Sequence, residues 1–183
     1  LTTCCATAAE SGIHYGRRDA RDPLSKRTGM AGESDLGQIL TELLNEFDRR
    51  NAQYALARGW AFSVLVEPRA TTDVDILILL DSPSRETIQS LISSVFTSTI
   101  VHSAPMKFRG ISIWCCTGIR ENRETVVDLL LADSEFLQSA LVWKRRILFG
   151  SQVVCILTLE DLILMKMIAG RLQDQADLEK IAQ

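Results

Sequence analysis

The stretch Pro68-Arg69-Ala70-Thr71-Thr72-Asp73-Val74-Asp75-Ile76-Leu77-Ile78-Leu79-Leu80 decides how this chain is read. Residues 74–80 are apolar except for Asp75, and the run reads as a buried strand opening just after the turn-forming Pro68. Successive strand side chains point to opposite faces, so Asp73 and Asp75 share one face while Val74 and Ile76 occupy the other. Two residues of strand rise separate the two α-carbons by about 6–7 Å, which lets their carboxylates share cations lying roughly 3.5–4 Å apart. Hard oxygen donors of this kind suit Mg²⁺ or Mn²⁺ rather than zinc.

Taken alone the triplet carries little, because a chain with 12 Asp among 23 acidic residues yields roughly 0.7 Asp-apolar-acid triplets by chance. A polar strand end is the competing reading. Asp128 alters the balance. It is the only charge in Val126-Val127-Asp128-Leu129-Leu130-Leu131, and a buried carboxylate without a partner is expensive. A cation shared with Asp73 and Asp75 from a neighbouring strand would stabilise it; the alternative is an outward-facing Asp on an edge strand. Upstream, Gly59 lets the main chain approach a phosphate closely, although a turn or a close helix contact would call for glycine equally.

Composition narrows the remaining classes. Hydrophobic residues at 46% and charged residues at 23% are average for a globular protein, and 183 residues suffice for one domain with its own core. No apolar run approaches the roughly 20 residues that span a bilayer, so no membrane partner is expected. A net charge of −3, with acids and bases intermixed, provides no global basic field for nucleic acid, so any such contact must be local. The five cysteines fall as Cys4-Cys5, Cys115-Cys116 and Cys155, without CxxC spacing, and only His14 and His102 could assist them. Reduced thiols in a cytoplasmic protein follow, with Cys115, Cys116 and Cys155 in the core.

Residues 1–33 lack a sustained apolar period and read as a disordered or non-native segment. Met30 directly precedes the first helical pattern, so residues 1–29 are either upstream sequence or an ordinary tail of mixed charge. From there a single domain is expected over residues 34–183. Leu36, Ile39, Leu40, Leu43, Leu44 and Phe47 follow helical spacing, with Asp35 and Gln38 as a cap pair. Ser84 caps a helix whose core face is Ile88, Leu91, Ile92, Val95 and Phe96. Strands over residues 110–116 and 125–131 form a hairpin through a polar turn containing Gly118, Glu121 and Asn122. Ser134 opens another helix, residues 153–157 are a short strand, Thr158 and Asp161 cap a helix over residues 159–169, and a last helix begins near Asp174. The order describes an α+β domain with a small mixed β-sheet flanked by helices.

Four ordered motifs add a resemblance. Tyr54-Ala55-Leu56-Ala57-Arg58-Gly59-Trp60-Ala61, then Pro68 to Asp75, then Val127-Asp128-Leu129-Leu130, then Leu159-Glu160-Asp161-Leu162-Ile163 with Lys166, Ala169, Arg171, Asp174 and Asp177, resemble the abortive-infection branch of the nucleotidyltransferase superfamily. That branch contains toxins of type IV toxin-antitoxin pairs. The resemblance covers residues 35–183 and implies a polymerase-β-like core moving a nucleoside monophosphate from an NTP to an acceptor. The acceptor would be an RNA end, a protein or a small molecule, and an antitoxin-like protein is an implied partner. It also implies that Asp73, Asp75 and Asp128 bind Mg²⁺ or Mn²⁺, with Asp128 activating the acceptor hydroxyl.

Physical chemistry supplies the accompanying roles, since phosphoryl chemistry is mostly positioning and charge neutralisation. Lys166 offers a point charge to the triphosphate, and Arg69 or Arg171 adds forked hydrogen bonds. Gly59, Arg58, Arg69, Thr72, Arg171 and Asp174 are thus the expected nucleotide-binding set. Other readings stay open: Lys166 as a solvated helix charge, Arg171 and Asp174 as a structural ion pair, and Asp177 as a helix cap. One departure stands out. The family has a Gly-Gly or Gly-Ser pair where this chain has Arg58-Gly59, and an arginine there either obstructs the phosphate cradle or neutralises a phosphate. The chain also stops shortly after Asp177, where the family continues. These two features motivate the alternative of a catalytically silent binding module with the same fold.

Overall fold

The apolar run after Asp73 becomes a central strand covered on both faces. A computed structural model describes residues 35–149 and 152–183; the segment expected over residues 1–33 lies outside them. In chain order the elements are α1 (Asp35–Arg49), β1 (Gln53–Leu56), α2 (Arg58–Leu65), β2 (Asp73–Leu79), α3 (Arg85–Ile92), β3 (Ser98–Val101), β4 (Met106–Phe108), β5 (Ile111–Arg120), β6 (Arg123–Leu131), α4 (Glu135–Trp143), β7 (Arg145–Phe149), β8 (Gln152–Ile156), α5 (Leu159–Ala169) and α6 (Leu172–Ile181). The strands form one sheet in the order β3-β5-β6-β2-β1-β8-β7, with β4 also paired to β5. β2 runs parallel to β6 and β1 parallel to β8, while the other pairs are antiparallel.

The mixed α+β architecture matches the expectation, but the sheet is larger than the small one expected. Its additional strands are β1, β3, β4 and β7: the last three are mostly exposed and lack the apolar alternation that would announce them, whereas β1 is buried from Tyr54 to Leu56 and runs almost directly into the equally apolar α2. β2 is buried from Val74 to Ile78 because each face meets a separate core. Val74, Ile76 and Ile78 join Val127, Leu129 and Leu131 against Leu40, Leu43, Leu44 and Phe47 of α1 and Ile88, Leu91 and Ile92 of α3. On the opposite face, Leu77 and Leu130 pack with Leu137, Ala140 and Leu141 of α4. A strand covered twice needs apolar residues at every position, which explains the uninterrupted run. Asp73 and Asp75 share the parity of Leu77, and Asp128 that of Leu130, so all three carboxylates lie on the α4 side of the sheet.

The expected caps at Ser84, Ser134 and Thr158 form, with their hydroxyls accepting from the N–H groups of Thr87 (3.1 Å), Leu137 (3.4 Å) and Asp161 (3.1 Å). Each such cap contributes about 1 kcal/mol. The expected Asp35 and Gln38 cap pair rests on an Asp35 side chain outside the described ones; Gln38 donates to Glu42 one turn later, at 3.1 Å. α6 starts at Leu172, two positions before Asp174, because left-handed Gly170 ends α5 at once.

The hairpin turn is tighter than expected. Arg120 pairs with Arg123 across Glu121 and Asn122, whose φ values of 49° and 63° are those of a two-residue type I′ turn. Gly118 is therefore not in the turn. It lies within β5, where an added Cβ would come within 2.4 Å of the Phe96 ring. Phe96 closes the α3 side of the first core by lying across this bare backbone. Gly118→Ala should therefore destabilise the fold by about 1–3 kcal/mol through overpacking. Urea unfolding checks this: the midpoint should fall with an unchanged slope, and an unchanged midpoint would mean that Phe96 has room to move.

Candidate active site

The site is built where the start of β2 lies beside the end of β1, the middle of β5 and β6, and the start of α2. Asp75 and Asp128 are direct partners in the parallel β2/β6 register, so their side chains emerge next to each other. Asp73 lies two residues before Asp75 and is exposed, whereas Asp75 is buried, at 7% relative exposure. The main chain at Asp73 is pinned: its carbonyl accepts from the Trp60 indole N–H (3.0 Å) and the Thr71 hydroxyl (3.2 Å). The Thr72 hydroxyl donates to the Asp73 carboxylate at 3.0 Å, which places Thr72 at the rim of the cluster.

Arg58 enters between the strands. One terminal guanidinium nitrogen lies 2.8 Å from Asp75 Oδ1 and 3.2 Å from Asp128 Oδ2. Asp75 and Asp128 therefore meet at a single cation, as their sequence context predicts, but that cation is an arginine of the same chain. Arg58 reaches this position from a left-handed backbone, with φ 43°, at the first residue of α2. Burial pushes the Asp75 carboxyl above the usual carboxylate range; the charge of Arg58 pulls it down without cancelling the rise, and Asp128 adds to it. The other Asp128 oxygen accepts from the Cys115 thiol at 2.8 Å. Burial, and then this hydrogen bond to Asp128, push Cys115 up to about 12, so the thiol keeps its proton and acts as a donor.

The sequence pattern alone marks Cys115 as a core residue, not as a part of the site. The hairpin register held the missing signal: counting back from the Glu121-Asn122 turn pairs Cys115 with Asp128. The fold fixes that neighbourhood, and the thiol then supplies a donor to a carboxylate that needs one.

α2 begins without a cap. Ala57 is extended and makes no side-chain cap bond, and the first turn holds no acidic residue, so this helix end has backbone donors available to an anion. Gly59 lies in that turn beneath the 66–72 loop; a Cβ there would stand 3.0 Å from Thr71 Oγ1 and 3.4 Å from the Arg69 guanidinium. Close packing thus demands the glycine, and the same packing holds the helix end beside Asp75.

Lys166, Arg69, Arg171, Asp174 and Asp177 form a second cluster. Lys166 is 3% exposed and bonds Asp177 at 2.5 Å, with Asp174 at 3.7 Å. Arg69 bonds the same Asp177 at 2.7 Å, and both cations stand 5.2 Å from the centre of the Phe62 ring. Arg171 pairs with Asp174 at 2.8 Å, while the Asp174 carboxylate also accepts from the Arg171 backbone N–H at 3.2 Å. The expected triphosphate contact of Lys166 gives way here to a buried pair joining α5 and α6. Asp177 does not cap α6; it sits inside the helix as the acceptor that gathers Lys166, Arg69 and Gln173. This cluster anchors the loop leading into Asp73.

The donors Asp73, Asp75 and Asp128 have the oxygen chemistry a hard divalent ion prefers. Their arrangement does not fit one. Among the described residues no three Asp, Glu, His or Cys side chains converge closely enough to hold a metal ion, and the guanidinium lies where Asp75 and Asp128 converge.

No protein-family model matches the chain, and no curated protein matches it in sequence. Among solved structures, the chain is similar to a Thermotoga maritima protein provisionally assigned as a nucleotidyltransferase, at 14% identity and TM-score 0.53, over 80% of this chain and 92% of that one. It is also similar to the lincosamide antibiotic adenylyltransferase LnuA bound to lincomycin (15% identity, TM-score 0.49, 80% of this chain and 96% of that one). A third likeness is to the antibiotic-resistance factor ANT(2'')-Ia (13%, TM-score 0.47, 74% and 71%). The first of these likenesses shows that the chain has the nucleotidyltransferase fold. Among the described residues, no helix is long and apolar enough to cross a membrane.

The second cluster generates a stability test. Burial raises the Asp177 carboxyl, but the hydrogen bonds from Lys166 and Gln173 and the charges of Lys166 and Arg69 outweigh it, leaving the group below its ordinary value. Asp174 is lowered likewise, as Arg171 outweighs burial. A depressed carboxylate contributes stability above its unfolded value and loses it as pH falls through the folded one. Asp177→Asn should cost about 3–5 kcal/mol at neutral pH, because Lys166 is left buried and short of its partner. Thermal unfolding from pH 7 down to pH 2 checks both points. The gap between wild type and variant should narrow as the wild-type carboxylates protonate, and a gap independent of pH would contradict this role.

Proposed function

We propose that this chain is a nucleotidyltransferase, moving a nucleoside monophosphate from an NTP to an acceptor hydroxyl. The observation that carries the reading is the pairing of Asp75 with Asp128 across parallel β2 and β6, beside the uncapped start of α2. The backbone N–H groups at that helix end receive the polyphosphate, with Gly59 seating the helix start against the 66–72 loop. Arg58, once turned from the carboxylates, adds a forked donor to the same anion. Thr72 and Asp73 border the cluster from the strand entrance.

In the reaction the acceptor oxygen bonds to the α-phosphorus as the bond to pyrophosphate breaks, and Asp128 receives the acceptor proton. Cys115 orients that carboxylate from behind through its 2.8 Å hydrogen bond. Arg69, Lys166, Arg171 and Asp174 act at a distance by fixing the loop and helices that present Asp73 and Gly59. An RNA end, a protein or a small molecule would serve as acceptor, and the resemblance to abortive-infection toxins favours a cellular RNA or protein controlled by an antitoxin-like partner.

A second reading has its own support. The contact of Arg58 with both Asp75 and Asp128 would suit a protein of this fold that binds nucleotide without turning it over.

Incubation with each labelled NTP, Mg²⁺ and a cell extract separates the two. Transfer of label should occur with one or more NTPs and fall at least about a hundredfold in Asp73→Asn/Asp75→Asn, the scale on which preorganised charge contributes to catalysis. Nucleotide binding in a calorimeter with no release of pyrophosphate would instead establish the silent module.

A further inference from the structure

We infer that Arg58 is the resident counter-ion of the Asp75 and Asp128 pair, and that a divalent cation can occupy these carboxylates only by displacing its guanidinium. The inference rests on the nucleotidyltransferase reading for its biological meaning, but its physical content concerns only the three side chains.

Three observations support it. The Arg58 guanidinium reaches both carboxylates through one nitrogen, at 2.8 Å and 3.2 Å, so its positive charge is held where the two negative charges converge. All three side chains are mostly withdrawn from water, with side-chain exposures of 16% for Arg58, 10% for Asp75 and 17% for Asp128, so the attraction is only weakly screened. Finally, Arg58 holds this position from a φ of 43°, a conformation that costs a non-glycine residue on the order of 1–2 kcal/mol. A strained backbone persists where surrounding interactions impose it, and the double carboxylate contact is the interaction available to this side chain.

The consequence is an exchange between one cation and another. With Arg58 in place, one of the two negative charges of Asp75 and Asp128 is offset from within, and the third carboxylate, Asp73, faces solvent and accepts a hydrogen bond from Thr72. When an ion takes Asp75 and Asp128, the guanidinium leaves toward the uncapped start of its own helix, the place proposed above for polyphosphate. Arg58 is then a positioning residue: it sets the cation affinity of the site and moves its charge from carboxylate to phosphate on loading.

Mn²⁺ binding to the full chain, followed by electron paramagnetic resonance in the absence of nucleotide, tests this directly. Arg58→Gly removes the cation and suits the left-handed backbone, so the variant should fold; its circular dichroism melt verifies that. It should bind Mn²⁺ at least about tenfold more tightly than wild type, because two converging carboxylates lose their competing charge. Arg58→Lys, which keeps the charge but loses the fork, should fall between the two. The gain should vanish when Asp75→Asn and Asp128→Asn are added to Arg58→Gly. Equal Mn²⁺ affinity in wild type and Arg58→Gly, or a gain that survives loss of both aspartates, would overturn the inference. Failure of the nucleotidyltransferase reading looks different, since Mn²⁺ affinity would rise in Arg58→Gly while neither protein transferred label.

Discussion

Carboxylates withdrawn from water on two central strands require a cation, and much of this fold is arranged around meeting that requirement. Asp75 is placed by the β2/β6 register against Asp128, and neither can retreat, because the residues flanking each in its strand are committed to the core on the opposite face. Moving either strand by one residue to separate the charges would turn Val74, Ile76, Val127 and Leu129 toward the wrong side. The apolar cores therefore hold the electrostatic problem in place, and Arg58 resolves it from the first residue of α2.

The Asp177 cluster solves the same problem differently. There Lys166, Arg69 and Gln173 converge on one buried acid, with Phe62 beneath two of the cations. Such a cluster ties together α2, the 66–72 loop, α5 and α6. The contrast separates the two ionic groups by role: one is closed and holds the scaffold, whereas the other opens toward solvent through Asp73 and adjoins an uncapped helix. Every buried side-chain nitrogen and oxygen among the described residues has a hydrogen-bond partner, so the difference lies in which partners could be exchanged.

The central part of this arrangement was legible in the sequence because burial there forces strict patterns. The run after Asp73 could only be a strand covered on both faces, and Ser84, Ser134 and Thr158 announced three helices by chemistry local to each turn. β3, β4 and β7 carry no such pattern because they are exposed, and β1 merges in sequence with the apolar helix that follows it. At the site, the meeting of Asp75 and Asp128 was foreseeable from one charge set in an apolar run. The destination of Arg58 was not, since it depends on a left-handed φ and on the angle at which α2 leaves β1, both tertiary properties. Lys166 was misplaced for a related reason: a lysine at helical spacing looks alike whether it faces a ligand or a buried acid on the next helix, and α6 had to be in place to choose.

Charge counting at the site explains why the occupant between Asp75 and Asp128 matters so much. Three carboxylates and one guanidinium leave a net negative cluster, and the start of α2 offsets only about half a charge. A triphosphate approaching that cluster is repelled at short range, and a chain with net charge −3 supplies no long-range attraction to compensate. Binding polyphosphate therefore needs positive charge to arrive with it or to be released toward it. A cation arriving with the nucleotide would do the first, and Arg58, released from the carboxylates, would do the second. On the exchange inferred for Arg58, the residue that offsets one of the three negative charges at rest would become a donor for the incoming phosphate.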